Sequence, residues 1–311
     1  MKRKGLPLNG WLALDKPLNL TSTQALGKVR WLLNAAKAGH GGTLDPLATG
    51  VLPLAFGEAT KTVGYMMDAT KRYRFTLKFG TQTTTDDLEG EVMATSDVRP
   101  TEAVLRAVLP RFTGTISQLP PRFSALKVDG QRAYDLAREG EEFELQPRAV
   151  RIDEINLISY TNQELAVMEV TCGKGTYIRS LARDIAQALD SVGHVAELRR
   201  LQVGRFSEKD SISLDELSAK VQNTPADQLL LPIETALGDI PALAITEQEA
   251  QRLRLGQTVS LLLMSNRDRL LSLPDAVRLN GSPVVALLNG KAVAIAEVAA
   301  GELRVVRGFS S

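Results

Sequence analysis

Hydrophobic and polar residues alternate cleanly over Lys71–Phe79. Tyr73, Phe75, Leu77 and Phe79 fall on one side, and Arg72, Arg74, Thr76 and Lys78 on the other. A period of two marks a half-buried strand. Gly10–Leu14 and the apolar run Val51–Ala55 read as further strands, the first stopped by Asp15-Lys16-Pro17, and Val150–Tyr160 and Leu165–Cys172 read as a strand pair. Elsewhere the period lengthens. Ala25, Val29, Leu32 and Leu33 recur at i, i+4, i+7 and i+8 behind Thr21-Ser22-Thr23-Gln24, a capping box. Ile178, Leu181, Ala182, Ile185 and Leu189 form another helix face, with Thr176 as its expected cap. Helices are also expected over Glu58–Met67, around Thr101–Phe112 before Pro120-Pro121, and over Gln131–Glu139, closed by Gly140. Glycines and prolines break the pattern over Gly39–Gly50, which reads as an irregular loop.

The pattern changes character near Asp239–Pro241. Beyond it Thr246 and Glu249 form another capping box, Gly256 closes the helix, and Asn289-Gly290 signals a hairpin between Val284–Leu288 and Ala292–Val298. The expected organisation is a domain of residues 1–238 and a small β-rich domain of residues 239–311. In the first, strand pairs mix with helices, which points to an α+β fold with a mixed or antiparallel sheet and flanking helices. A length of 311 residues fits two such units.

Composition narrows the function classes. No apolar run approaches the ~20 residues that span a bilayer. The basic start, Met1-Lys2-Arg3-Lys4-Gly5, leads into no long apolar segment and so does not read as a secretory signal. The single cysteine, Cys172, excludes an internal disulfide, reads as a small core residue, and makes the cytoplasm the expected compartment. His40 and His194 are the only histidines, so no zinc-type ligand set assembles and no metal is expected. Asp86, Asp87 and Glu89 lie in the Thr/Asp/Gly-rich stretch Thr81–Gly90, which reads as a solvated loop rather than a Mg²⁺ site. Charge is uneven. Residues 1–80 hold 12 Lys/Arg and 4 Asp/Glu, so 12 − 4 = +8, and a total of +1 leaves 1 − 8 = −7 for the rest. That asymmetry suits a polyanion-binding face; a merely solvated basic surface accounts for it too.

The densest chemistry lies in Gly39-His40-Gly41-Gly42-Thr43-Leu44-Asp45-Pro46-Leu47-Ala48-Thr49-Gly50. Glycines let backbone approach a ligand closely, and one carboxylate, Asp45, sits on the turn beside a histidine. The residues alone leave two readings: a carboxylate presented to a ligand, or an Asp-Pro turn that bonds its own backbone. Gly173-Lys174-Gly175-Thr176 lacks the P-loop order, in which Ser or Thr directly follows Gly-Lys.

The run His40–Gly50, centred on Leu44-Asp45-Pro46-Leu47-Ala48-Thr49-Gly50, closely resembles the signature loop of the TruB family of tRNA pseudouridine synthases. Further blocks stand in the family's order: Asp15-Lys16-Pro17, Gly57-Glu58-Ala59-Thr60-Lys61, Lys71-Arg72-Tyr73, Phe123-Ser124-Ala125-Leu126-Lys127, Gly173–Arg179 and Leu198-Arg199-Arg200. The end of the chain, with Val293–Val298 and Leu303–Arg307, resembles the family's PUA-type RNA-binding domain. One departure is visible: Gly41 stands where the family usually has threonine, which implies a local change in loop stiffness. The long basic tails of the branch that works with guide RNA are absent, so no guide RNA is expected.

The resemblance implies the pseudouridine synthase fold and a division of labour among named residues. Asp45 corresponds to the essential aspartate, Arg179 to the arginine that pairs with it, and Tyr73 to the tyrosine that stacks on the target uracil and helps remove its C5 proton. Tyr177 and Leu198 match residues lining the uridine pocket. His40 matches the histidine that enters the RNA loop where the nucleotide flips, and Lys16 joins the expected substrate-binding set. The implied substrate is the uridine at position 55 in the T-loop of tRNA, bound through the T stem-loop, and the chain is expected to act as a monomer. Isomerisation breaks C1′–N1 and makes C1′–C5 with no redox change, so no cofactor is expected. The contrasting class is a non-catalytic tRNA-binding or folding module. A nucleoside hydrolase would usually want two carboxylates flanking the bond, and the signature loop offers one.

Overall fold

The computed structural model describes residues 5–124, 126–128, 131–132, 141, 143–262 and 266–310. Strand β1 (Gly10–Lys16) pairs antiparallel with β3 (Ala48–Phe56), and β2 (Ala38–His40) lies antiparallel along the far end of β3. β4 occupies Lys71–Phe79, the span that the alternation predicts. A small hairpin of β5 (Thr81–Thr83) and β6 (Val92–Thr95) follows, then β7 (Gly114–Gln118). β8 (Lys127–Val128) and β9 (Gln131–Arg132) make a ribbon. The helix expected from Gln131 therefore does not begin there, and the rest of that segment, with Gly140, lies outside the described residues. β10 (Arg148–Thr161) and β11 (Leu165–Cys172) form the expected antiparallel pair.

β12 (Gly193–Val203) lies between older neighbours: parallel to β3 and antiparallel to β4. With β13 (Phe206–Ser207) and β14 (Ser211–Ile212), the described residues complete a ten-stranded mixed sheet whose main path runs β14-β1-β3-β12-β4-β11-β10-β7. The expected loop Gly39–Gly50 is shorter than the glycines suggest, because β2 and β3 take its two ends. Gly50 explains how. It has φ +98°, and a Cβ there would lie 2.2 Å from the Arg200 carbonyl oxygen, so only glycine lets β12 run this close to β3.

Successive residues of β1 go to opposite faces. Leu12 and Leu14 join the larger core, and Trp11 and Ala13 a second one with Val51, Ala55 and Phe206. The larger core receives helix α1 (Ser22–Leu32) through Ala25 and Val29, with Thr21 and Gln24 closing the expected capping box. Residues Gly57–Thr62 form a 3₁₀ turn that leads into α2 (Val63–Asp68), and α3 (Glu102–Val108) likewise gives way to a 3₁₀ turn over Leu109–Phe112. Helix α4 (Ile178–Gln187) buries Ile178, Leu181 and Ile185 against the same core, roughly 5–9 kcal/mol of apolar burial. Its N-cap is Tyr177, not the expected Thr176, whose hydroxyl donates to the Gly173 carbonyl instead. Gln118 secures the helix entry: its side-chain oxygen accepts from the Tyr177 N–H at 2.8 Å, and its Nε2 donates to the Tyr177 carbonyl at 3.1 Å.

A separate β-rich C-terminal domain carries its own core of Leu243, Leu253, Val259, Val284, Ala296 and Leu303. Its sheet runs β15 (Ala242–Ala244), β17 (Val284–Leu288), β18 (Lys291–Ala299), β19 (Glu302–Gly308) and β16 (Val259–Ser260). Asn289 at φ 51° and Gly290 at φ 79° make the tight turn that joins β17 to β18. Leu237, Val285, Ile295 and Phe309 form an apolar seam with the first domain, which Tyr65 joins. Among the described residues no helix is long and apolar enough to cross a membrane.

Candidate active site

The irregular segment between β2 and β3 is held by its carbonyls. Arg200 Nη2 donates to Gly42 O and Nη1 to Thr43 O, both at 3.2 Å, while its Nε donates to Val51 O at 2.8 Å. Ser22 clasps Leu44 from both sides, its hydroxyl donating to Leu44 O at 3.0 Å and accepting from Leu44 N–H at 2.8 Å. Asp45 O accepts from Ala48 N–H at 3.0 Å, and Pro46 O accepts from Asn19 N–H at 2.9 Å and from Lys16 Nζ at 3.4 Å. Every carbonyl from Gly42 to Pro46 thus has a donor. A turn so satisfied does not drift, and it aims the Asp45 side chain.

Lys16 corrects its expected role. Its side chain is fully buried and its Nζ also donates to Pro17 O and Leu20 O at 2.9 and 2.7 Å. It braces the loop from behind and does not line the cleft in front. Burial lowers its pKa to about 8, with the Asp45 charge opposing and Arg200 adding to the shift.

Arg179, on the first turn of α4, is 6% exposed and serves four acceptors. Its Nε lies 3.0 Å from Asp45 Oδ2, and its Nη1 lies 3.4 Å from Asp87 Oδ2. Its guanidinium also donates to Thr85 O and Phe123 O, each at 2.9 Å. The expected Asp45–Arg179 pair is therefore present, with a second carboxylate behind it. Asp86 and Asp87 are not in a solvated loop: they are 5% and 6% exposed. The Glu89 N–H donates to Asp87 Oδ1 at 3.0 Å, and Arg183, one helical turn after Arg179, meets Asp86 Oδ2 at 2.9 Å. Burial raises the Asp86 pKa, against the pull of Arg183. The signal was two arginines at i, i+4 on one helix facing two adjacent aspartates; loop-like composition in Thr81–Gly90 hid it.

In front of this network opens a cleft of about 290 Å³, lined by Asp45, Tyr73, Tyr177, Arg179 and Leu198 among others. That volume is at the lower end of the ~300–1,000 Å³ of small-ligand clefts and suits one nucleoside. Five of the expected site residues meet here. His40 does not line it: it ends β2, half-buried, with Nδ1 unpartnered among the described residues, and burial lowers its pKa. Tyr73 stands on β4 as a wall, and burial raises its pKa, with the Arg200 charge opposing. Lys71, two residues earlier on the same face, also lines the cleft. Its Nζ donates to Met67 O, and burial, with Arg200, lowers its pKa to about 8. Lys71 and Arg200 were visible only as parts of motif blocks. With Arg179 they set three cations against the single carboxylate of Asp45 among the described lining. Gly41 packs under Met66, whose Cβ would lie 2.8 Å from a Cβ at position 41. Cys172 is buried as expected, and burial raises its thiol to about 11.

Comparison with known proteins bears on this site. The description "TruB family pseudouridylate synthase (N terminal domain)" matches residues 30–178, and "tRNA pseudouridylate synthase B C-terminal domain" matches residues 179–238. A tRNA pseudouridine synthase B of Gluconacetobacter diazotrophicus is 54% identical over 290 residues, 93% of this chain and 92% of the relative. One from Rhodospirillum rubrum is 50% identical over 306 residues, 98% of each. Among solved structures, an H/ACA RNP bound to a substrate RNA containing 2′-deoxyuridine aligns with TM-score 0.74 at 21% identity, covering 100% of this chain and 91% of that one. A Cbf5-Nop10-Gar1 complex aligns with TM-score 0.73 at 24% identity, covering 100% and 91%. At that identity the structures speak for the fold alone, while relatives half-identical over nearly the whole length speak for kinship. The chain belongs to the TruB family of pseudouridylate synthases and is an enzyme, an isomerase.

Proposed function

We propose that the chain converts the uridine at position 55 in the T-loop of tRNA into pseudouridine, with Asp45 as the acting carboxylate. The observation that carries this reading is one carboxylate, fixed by a buried arginine, at a nucleoside-sized cleft whose other charged lining residues, among those described, are cations. A site built only to bind a polyanion has no use for an anion there.

The geometry supports the following roles. The target base must leave its stack to reach Asp45, at a cost of a few kcal/mol. Tyr73 stacks on the flipped uracil and offsets part of that cost. Lys71 and Arg200 add positive potential at the cleft, which favours the approach of a polyanion, and Arg179 holds Asp45 in place. Asp45 acts on the nucleotide, C1′–N1 breaks, the uracil turns within the closed pocket, and C1′–C5 forms. The C5 proton is then lost with help from Tyr73, and N1 takes up a proton, so the base ends with as many protons as it began. Tyr177 and Leu198 enclose the base, and His40, outside the cleft lining, enters the RNA loop. Lys16 supports the signature loop from beneath. No electron is gained or lost, and the reaction itself calls for no cofactor. Asp87 stands behind Arg179 and outside the cleft lining, which argues against hydrolysis between two flanking carboxylates.

Residues 239–311 act as a PUA-like RNA-binding domain that grips the tRNA away from the reacting base, and the enzyme works as a monomer in the cytoplasm without a guide RNA. The test is incubation with unmodified tRNA transcript, followed by mapping of pseudouridine. Conversion confined to position 55 is expected. Tight binding without conversion would overturn the reading in favour of a tRNA-folding helper.

A further inference from the structure

A buried hydroxyl without a partner costs roughly 1–3 kcal/mol of lost hydration, so it persists where something else satisfies it. Among the described residues, five buried side-chain atoms lack a hydrogen-bond partner: Trp11 Nε1, His40 Nδ1, Ser124 Oγ, His194 Nε2 and Arg278 Nε. Of these residues only Ser124 lines the catalytic cleft. It is 3% exposed.

Its placement is built rather than incidental. The segment from Gln118 to Ser124 is tied to the start of α4 at successive points. Gln118 holds both polar groups of the Tyr177 backbone, Ser180 Oγ donates to Leu119 O at 2.8 Å, and Arg179 Nη2 donates to Phe123 O at 2.9 Å. The same guanidinium that holds Asp45 therefore holds the residue next to Ser124. The carboxylate and the segment that carries the orphan hydroxyl are thus held by one guanidinium, and both line the same cleft.

We propose that Ser124 Oγ hydrogen-bonds the edge of the target uracil and steers it while it is detached from the ribose. This rests on the reading of the cleft as a uridine site. Isomerisation requires the freed base to turn so that C5 replaces N1 before C1′. A half-turn about the N3–C6 axis does this. It leaves N3–H where it was and exchanges the positions of O2 and O4. A serine hydroxyl suits both ends of that motion, because it rotates freely and both donates and accepts. It accepts from N3–H throughout, or donates to whichever carbonyl occupies its side. An amide or a charged group, with fixed donors, would favour one orientation and slow the turn.

The test uses single-turnover rates at saturating enzyme on T stem-loop RNAs. The target carries uridine, 2-thiouridine, 4-thiouridine or 3-methyluridine, and wild type is compared with Ser124→Ala and Ser124→Cys. Loss of one neutral hydrogen bond predicts a roughly three- to tenfold slower reaction of uridine in Ser124→Ala, with RNA affinity unchanged. At least one base change should slow wild type by a larger factor than it slows Ser124→Ala, because the variant has already lost the contact. Ser124→Cys, a weak donor of similar size, should fall between. Rate ratios within one enzyme are insensitive to any loss of stability in the variant. A Ser124→Ala enzyme slowed by one common factor on all four RNAs, or not slowed at all, overturns the proposal. Failure of wild type to convert uridine would instead remove the functional reading on which it rests.

Discussion

Replacing Arg179 by alanine removes a cation that two carboxylates share, and the two should suffer differently. The Asp87 side chain is 9% exposed, so it is left as a buried anion without its charged partner. Such a loss typically costs ~3–5 kcal/mol of stability; Thr85 Oγ1 and the Glu89 N–H still reach Asp87, which puts the expected cost near the lower end, about 3 kcal/mol. The Asp45 side chain is 42% exposed. Water screens its charge, so its loss is one of aim rather than of energy. Losing a preorganised charged partner typically lowers a rate ~10²–10³-fold, equivalent to about 2.7–4.1 kcal/mol. Arg179→Lys should fail nearly as badly, since one ammonium cannot reach Asp45, Asp87, Thr85 O and Phe123 O together. The assay is the saturated single-turnover rate on a T stem-loop, beside the salt dependence of binding and a denaturant midpoint. A contact to phosphate would instead weaken binding and flatten its salt slope by about one. A normal saturated rate with a shallower salt slope would refute the reasoning and move Arg179 to the RNA-positioning surface.

Asp45→Asn should abolish turnover while leaving tRNA binding intact, because removing an anion beside phosphates does not weaken attraction; residual conversion within tenfold of wild type would rule Asp45 out. Conversion of an isolated stem-loop should survive exhaustive chelation, and restoration of a lost rate by one specific metal would defeat that claim. Removal of residues 239–311 should weaken RNA binding more than it slows the saturated rate, and should also lower the thermal midpoint, because it uncovers Tyr65 and Leu237 and removes the bonds from Lys61 to Gly308 O and from Ser310 N–H to Glu58; a collapsed rate in a folded fragment would count against the division of labour. The last concerns pH. The Lys71 pKa is lowered from 10.5 to about 8 in the folded chain. Between those values the unfolded chain binds the extra proton, so this group's contribution to stability rises with pH across that window and is least below about 8. Denaturant titrations of wild type and Lys71→Met at pH 7.5 and 9 should differ by this slope, and parallel profiles would remove it.

The alternation over Lys71–Phe79 made β4 legible to the residue, since a period of two needs no tertiary information. The capping boxes at Thr21 and Thr246 were legible for the same reason: both partners lie within one turn. Asp45 was visible as a lone carboxylate among glycines, but only the family resemblance distinguished it from a structural Asp-Pro turn. What composition concealed was burial. Thr81–Gly90 has the makeup of a solvated turn, yet Asp86 and Asp87 are buried because Arg183 and Arg179, about a hundred residues later, come to meet them. Lys16 misled in the opposite sense. The resemblance put Lys16 with the substrate-binding residues, whereas three carbonyls that need a donor draw it inward. Local patterns report local partners, and the burial of Asp86 and Asp87 is defined by distant ones.

The position of β12 sets the timing of assembly during synthesis. Phe79, the last residue of β4, precedes Val203, the last of β12, by 203 − 79 = 124 residues. At ~5–20 residues per second the ribosome needs roughly 6–25 s to cover that interval. Throughout it, β3 and β4 exist without the strand that separates them, each with an edge awaiting a partner. β3 is apolar but for Thr49 and β4 is apolar on one face, and open edges of this kind invite pairing with the wrong chain. Leu198 and Arg200 arrive on that same strand, so the cleft gains its last wall only when the sheet is sealed. An incomplete nascent chain is therefore both inactive and adhesive, and the two conditions end together.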